Sequence, residues 1–394
     1  MRQHRIPATF MRGGTSKALV FHARDLPADR GLWPDIFRAA IGANDPYGRQ
    51  LDGMGGGISS LSKVCVIAPS ARTDADIDYS FFQLSPNDDS VDESANCGNM
   101  SSAMGPFAVD EGLVAVKGDT AQVRIHNTNT DKIIVSRFAL DDGTAAVDGD
   151  FELPGVAGTG SPVSLDFLRP GGARTGKILP TGNARDVLRL GDGSTIEASM
   201  VDAANPCVFV RAADVGAAGN ESPLALDNDA ALLARLEAVR QAASVAMGIA
   251  ATLAEAAKVP AAPKVAFVAP PMESQTLDGK TMAADEVDLL ARMISVGAPH
   301  RAIPLTGALC TACAAKIEGT LVHEVTRPGK TVRVGQASGT TVVDADVQRQ
   351  ADGVWHAETA SVFRTQRRLM DGFVYVSAAK TPALAGQPVA RAAE

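Results

Sequence analysis

Two stretches far apart in this 394-residue chain repeat one pattern. Cys97-Gly98-Asn99-Met100-Ser101-Ser102-Ala103 and Thr306-Gly307-Ala308-Leu309-Cys310-Thr311-Ala312 each pass from a polar residue through glycine or its neighbour into small residues suited to a packed helix. Both then close alike, at Glu111-Gly112-Leu113-Val114 and at Glu318-Gly319-Thr320-Leu321-Val322. The fold that answers such a repeat is two similar halves, each with strands wrapped on a small-residue helix. A cleft between them would face both helix N-termini, where free N–H groups and the helix dipole favour anions. The turn Pro180-Thr181-Gly182-Asn183 puts the boundary after residue 185. The expected halves are 1–185 and 186–394, with a C-terminal strand able to cross back into the first.

Short β-favouring runs fill the first half: Ile6 to Phe10, Ala18 to Phe21, Lys63 to Ile67 and Ile77 to Leu84. Val123 to His126 and Ile133 to Phe138 flank a polar turn, as a hairpin would. Glycine-rich turns separate the early runs, at Met11-Arg12-Gly13-Gly14-Thr15-Ser16-Lys17 and Asp52-Gly53-Met54-Gly55-Gly56-Gly57. The second has phosphate-loop composition without the spacing of a nucleotide motif. From Ala230 the chain changes to helix formers with an apolar stripe, continuing to Ala257 before Pro260. Lys264 to Val268 is then a compact strand.

The net charge is −8, with no long basic run, which argues against nucleic acid as the main partner. No apolar run is long enough for a membrane span, and Met1 to Thr9 lacks a signal-peptide core, so the cytoplasm is expected. Five cysteines in this length do not make a disulfide framework. Cys310 and Cys313 have CxxC spacing, but no second Cys/His pair accompanies them and a helix interior is the simpler reading. Cys65 and Cys207 read as core.

Cys97 is different. It stands at the start of a helix between two amides and a glycine, where the dipole and unpaired N–H groups favour a thiolate. Such a thiol exchanges protons near neutral pH. Lys63 begins an apolar strand, and burial of a lysine favours its neutral amine, a competent base. Arg12 with the N–H groups of Gly13, Gly14 and Thr15 offers a carboxylate grip. Gly98 and Asn99, with Thr306 and Gly307, offer a second, for a carboxylate or an enolate oxygen. Lys17 either points toward ligand or ends a strand, and His300-Arg301 either touches substrate or caps the following helix.

Several of these motifs together, with Ser62-Lys63, Asn96-Cys97-Gly98-Asn99 and Ser338-Gly339-Thr340, resemble the PrpF family over Ile6 to about Val376. The resemblance implies an α+β, diaminopimelate-epimerase-like fold of two pseudo-symmetric halves, each a β-barrel around a central helix. It implies a cofactor-independent isomerase, without metal, that shifts a double bond in an unsaturated di- or tricarboxylate. Candidate substrates are 2-methylaconitate, methylitaconate, 4-oxalomesaconate and aconitate isomers. The implied catalytic pair is Lys63 and Cys97, in either order. The implied substrate-binding set is Arg12, Gly13, Gly14, Thr15, Ser16, Lys17, Met54, Ser62, Asn96, Gly98, Asn99, Thr181, Asn183, Arg301, Thr306, Gly307, Ser338 and Gly339. Racemases of the superfamily carry a thiol on each helix terminus. Thr306 stands at the second one here, which disfavours two-thiol racemisation. Ile6 to Phe10 and Asp285 to Leu290 look closer to the methylaconitate branch, whereas Gln336-Ala337 departs from it and Thr306-Gly307-Ala308 with Cys310 resembles the oxalomesaconate branch. The substrate stays open on this reading, and so does the oligomeric state, a homodimer included. The alternative from another class is a non-catalytic accessory that binds the ligand of an iron–sulfur dehydratase.

Overall fold

The computed structural model describes residues 3–93, 96–295 and 297–384. The chain divides into two compact units, Met1–Leu165 with Phe363–Glu394, and Asp166–Val362.

In the first unit, β1 (Gln3–Gly13) and β2 (Ser16–His22) form an antiparallel hairpin. Helix α1 (Trp33–Ile41) follows, and β3 (Lys63–Pro69) returns parallel to β2. Next come β4 (Ile77–Leu84), antiparallel to β3, and the short β5 (Val91–Asp92). Helix α2 (Gly98–Asp110) leads to β6 (Thr120–Asn127), parallel to β4, and β7 (Lys132–Asp141), antiparallel to β6. The C-terminal strand Gln366–Ser377 pairs antiparallel with β1 from Gln3↔Ser377 to Gly13↔Gln366.

Alternation along these strands assigns their two faces. Leu19, Phe21, Val64, Val66 and Phe82 point outward and pack on Trp33, Ile36 and Phe37 of α1. The opposite face, with Met11, Ala18, Cys65 and Tyr79, is turned to α2. β1, β2, β3, β6, β7 and the C-terminal strand contact α2, so the sheet curls around it. Eleven of that helix's 13 residues are buried. Met100, Met104 and Phe107 are fully buried, each contributing roughly 1.5–3 kcal/mol by removal from water. Between them Ser101, Ser102, Ala103 and Ala108 keep the helix slim enough for strands to approach on every side. The helix closes with Gly112 N–H donating to Val109 O and Leu113 N–H to Ala108 O, the paired bonds of a Schellman ending.

The second unit repeats the order. Thr195–Ala203 pairs antiparallel with Asn205–Arg211, which is parallel to Lys264–Ala269; that strand is antiparallel to Leu289–Ser295. Leu289–Ser295 is parallel to Val332–Gln336, which is antiparallel to Gly339–Arg349. The sequence of pairings matches β1, β2, β3, β4, β6 and β7 step for step. The buried helix Leu305–Lys316 lies where α2 lies in the chain order, and Ala230–Ala246 lies where α1 does. Leu232, Leu236, Val239 and Ala243 of that outer helix pack on Val208, Val210, Val265 and Phe267.

Two expectations differ from what is observed. The helix from Ala230 ends at Ala246 and resumes only at Leu253–Ala257, because the chain turns at Gly248. The first crossing between units falls at Leu165/Asp166, not after residue 185. The reason is local: Gly172 N–H donates to Asp202 O at 2.8 Å, and Arg174 and Thr175 N–H donate to the Asp202 carboxylate at 2.8 and 2.7 Å. Those bonds bind the 171–175 segment to the second unit's own sheet. Among the described residues, no helix is long and apolar enough to cross a membrane.

Candidate active site

Cys97 is the N-cap of α2, with extended backbone (φ −98°, ψ 96°). Its carbonyl accepts from Ser101 N–H at 2.9 Å and from Ser101 Oγ–H at 3.1 Å. Asn96 Oδ1 accepts from the same hydroxyl at 3.2 Å, so both residues of the cap are tied to the first turn. Of the five free cysteines Cys97 alone is not buried.

Lys63 is the first residue of β3 and is 7% exposed. It lies on the face turned to α2, two residues from Cys65. Its Nζ donates to Gln83 Oε1, directly opposite on β4. It also stands over the Phe81 ring, 5.0 Å from the centroid. Gln83 is itself fixed: its Nε2 donates to the carbonyls of Ser59, Ser62 and Leu84 at 2.9, 3.1 and 3.1 Å. Cys65 lies near both members of the pair. Burial pushes its thiol far above the usual range, Cys97 pushes it further the same way, and Lys63 opposes them.

The β1–β2 turn meets the N-terminus of α2. A side-chain carbon on Gly13 would lie 2.6 Å from Asn99 O, and one on Gly14 would lie 2.4 Å from Asn99 Oδ1. Gly14 also has φ of +52°. Only residues without a side chain allow this contact. Asn99 Nδ2 donates to Thr15 Oγ1 at 3.0 Å, completing the join. Gly13, Gly14, Thr15, Asn96, Cys97, Gly98 and Asn99 are thus brought together, with Ser16 paired opposite Gly13 in the hairpin.

Other expected contacts lie elsewhere. Arg12 alternates to the outer side of the hairpin. Its Nη1 donates to Gly14 O at 3.0 Å and to Thr365 O and Oγ1 at 3.0 and 2.9 Å, so it clamps backbone rather than facing α2. Burial, then Arg367, lower its pKa. Lys17 shares that outer side, with Nζ 5.5 Å from the Phe10 ring centroid. Met54 packs on the outer core with α1. Ser62 Oγ–H donates to Gln50 Oε1 and Ile58 O at 2.7 and 2.9 Å and closes the preceding loop.

In the second unit, Thr181 Oγ–H and Asn183 Nδ2 both donate to the Asp186 carboxylate, at 2.7 and 2.8 Å, closing their own turn. Arg301 is exposed. Thr306 and Gly307 lie in the first turn of Leu305–Lys316, and Cys310 and Cys313 are buried further along it. Gly339 begins its strand, and Ser338 Oγ is buried with no hydrogen-bond partner among the described residues.

The sequence did not disclose three residues. Gln83 becomes the partner of Lys63 only once β3 and β4 pair. Arg364 reaches Asn99 from near the other end of the chain, Nε to Oδ1 at 3.2 Å; its only sequence signal is the basic run Arg364-Thr365-Gln366-Arg367-Arg368. Lys264 is the first residue of its strand, as Lys63 is of β3. Burial lowers its pKa, and lowers that of His300 to about 4 with help from Lys264. Among the described residues no three His, Cys, Asp or Glu side chains are grouped to hold a metal ion.

Known proteins resemble this chain over nearly its whole length. The family model described as PrpF protein matches residues 3–377. The chain is 43% identical over 383 residues to 3-methylitaconate isomerase of Eubacterium barkeri, covering 96% of this chain and 99% of that one. It is 39% identical over 388 residues to 2-methyl-aconitate isomerase of Shewanella oneidensis, covering 95% and 97%. The crystal structure of a methylitaconate-delta-isomerase superposes with a TM-score of 0.88 at 42% identity, over 97% of this chain and 98% of that one. The fold is accordingly the α+β, diaminopimelate-epimerase-like one. With a family match over nearly its whole length and relatives of this identity, the chain belongs to the PrpF protein family, and it is an isomerase.

Proposed function

We propose that this isomerase moves a carbon–carbon double bond in an unsaturated di- or tricarboxylate by 1,3-allylic proton transfer, with Lys63 and Cys97 dividing the two proton steps. One group takes a proton from the allylic carbon. The electron pair spreads through the double bond into a carboxylate, and the other group delivers a proton two carbons away. Atoms and charge balance with side chains alone, so the reading calls on no coenzyme or metal.

The observation that carries this reading is the half-exposed Cys97 capping α2, beside the sheet face that bears the buried, hydrogen-bonded Lys63. Cys65 feels both, which supports a common neighbourhood. The free N–H groups of the first turn of α2 suit an enolate oxygen. Thr306 in the corresponding turn of the second unit is too weak an acid to serve as a second thiol. The relatives' names supply the candidate acids: methylitaconate, 2-methylaconitate and 4-oxalomesaconate; aconitate isomers complete the set. Metabolism of such acids fits a cytoplasmic enzyme.

The test is incubation of the purified protein with each acid in heavy water, followed by proton NMR. A new isomer carrying deuterium at the reprotonated carbon supports the proposal. Binding without isomerisation or exchange for every acid would point to a ligand-binding accessory instead.

A further inference from the structure

Arg364 is a buried charge without a counter-charge among the described residues. The residue is 5% exposed. Among the described residues its guanidinium has two acceptors, Asn99 Oδ1 at 3.2 Å from Nε and Phe363 O at 2.8 Å from Nη1. Both are neutral dipoles. Arg368, on the same segment, shows the contrast: its Nη1 pairs with the Glu111 carboxylate at 2.8 Å. Burial lowers the Arg364 pKa only to about 10, so the group stays cationic at neutral pH. A buried cation lacking an anion is among the most costly arrangements a fold can hold.

The surroundings say what it awaits. Asn99 is in the first turn of α2, two residues beyond Cys97. The Arg364 side chain reaches it past the β1–β2 turn, its Cδ 3.2 Å from where a Gly14 side-chain carbon would stand. Asn99 cannot swing away, because its amide also donates to Thr15 Oγ1. A guanidinium has five N–H donors in a planar fork, and the two bonds made here leave several for a planar anion.

We propose that Arg364 is a substrate-binding residue that receives one carboxylate of the polycarboxylate at the N-terminal turn of α2, beside Cys97. The inference rests on the functional reading above and deepens it. A carboxylate fixed there orients the carbon chain against the thiol. If that carboxylate is the one conjugated with the departing proton, the cation also stabilises the charge it gains.

The experiment follows ligand-dependent thermal stabilisation and calorimetric binding of tricarballylate, a saturated tricarboxylate with no allylic proton, in wild type, Arg364→Gln, Arg364→Lys and Asn99→Ala backgrounds. The expected result is at least about thirty-fold weaker binding in Arg364→Gln, partial recovery in Arg364→Lys, and ligand-free stability equal to or above wild type. Arg364→Gln should cost the same factor when Asn99 is already alanine, since direct contact does not pass through that amide. Unchanged tricarballylate binding in Arg364→Gln, or a loss that vanishes in the Asn99→Ala background, overturns the inference while wild-type binding keeps the functional reading alive. If wild type itself neither binds tricarballylate nor isomerises any candidate acid, the functional reading fails and takes this one with it.

Discussion

Lys63 Nζ donates to Gln83 Oε1, and the Gln83 amide cannot turn over, because its Nε2 is held by the carbonyls of Ser59, Ser62 and Leu84. The amine therefore meets an acceptor, never a donor, and its direction is set by the β3–β4 register. Gln83→Leu should free the amine and reduce turnover about ten- to a hundred-fold with a smaller change in KM, measured by initial rates. Gln83→Glu puts a carboxylate against the amine and holds it as ammonium by Coulomb attraction. Turnover in that variant should fall below that of Gln83→Leu where the amine takes the first proton, and hold where the ammonium gives the second. Wild-type turnover in both variants would exclude the proton role for Lys63.

Cys97 should be the thiol that reacts first. Cys65, Cys207, Cys310 and Cys313 are buried; burial drives Cys65 and Cys310 far above the usual thiol range and Cys313 up to about 12. Brief iodoacetamide treatment of the native protein should add one group, map to Cys97 by peptide mass spectrometry, and abolish activity in step with labelling. A saturating polycarboxylate should slow the labelling. Rapid labelling at another cysteine with activity retained would contradict the assignment.

The β1–β2 turn leaves no room at Gly13. Gly13→Ala drives a methyl group to 2.6 Å from Asn99 O, and the obstacle is helix backbone. The expected cost is about 1–3 kcal/mol of stability, with activity lost more than stability because the first turn of α2 must shift. Thermal melting and steady-state rates read the two effects separately. A fully active, equally stable alanine variant would mean that the turn and helix do not meet this closely.

His300 gives the second unit an acid limit. Burial first, and Lys264 second, lower its pKa to about 4, against about 6.5 when unfolded. The unfolded chain therefore binds more protons between those values. Stability from this group is fully present above pH 6.5, declines as pH falls, and is gone near pH 4, a swing of roughly 3 kcal/mol. His300→Gln should flatten that part of the stability–pH curve in urea titrations. An unchanged slope would show that His300 ionises normally in the folded state.

The sequence disclosed what depends on local pattern. The small-residue helices at Gly98 and Leu305 announce themselves through buried glycine, alanine and serine, and the strand starts at Lys63 and Lys264 through their apolar runs. Side-chain direction at the turn was not legible. Arg12 lies in the motif nearest the site, yet strand alternation sends it to the outer side, where it clamps Thr365. The arginine that does reach Asn99 comes from the C-terminal segment, which arrives only because Gln366–Ser377 pairs with β1. Long-range pairing decided Gln83 in the same way. The crossing at Leu165 escaped because the Asp202 carboxylate, distant in sequence from Arg174 and Thr175, binds that loop to the second unit.

The central claim is that Lys63 and Cys97 each carry one of the two proton steps. It is tested most directly by measuring isomerisation and deuterium uptake from heavy water for wild type, Lys63→Met and Cys97→Ser on whichever acid wild type converts. Both variants should fold and bind the acid, yet lose at least about a hundred-fold in isomerisation, and any exchange left in one should sit at a different carbon from that left in the other. Isomerisation at the wild-type rate in either variant would contradict the account.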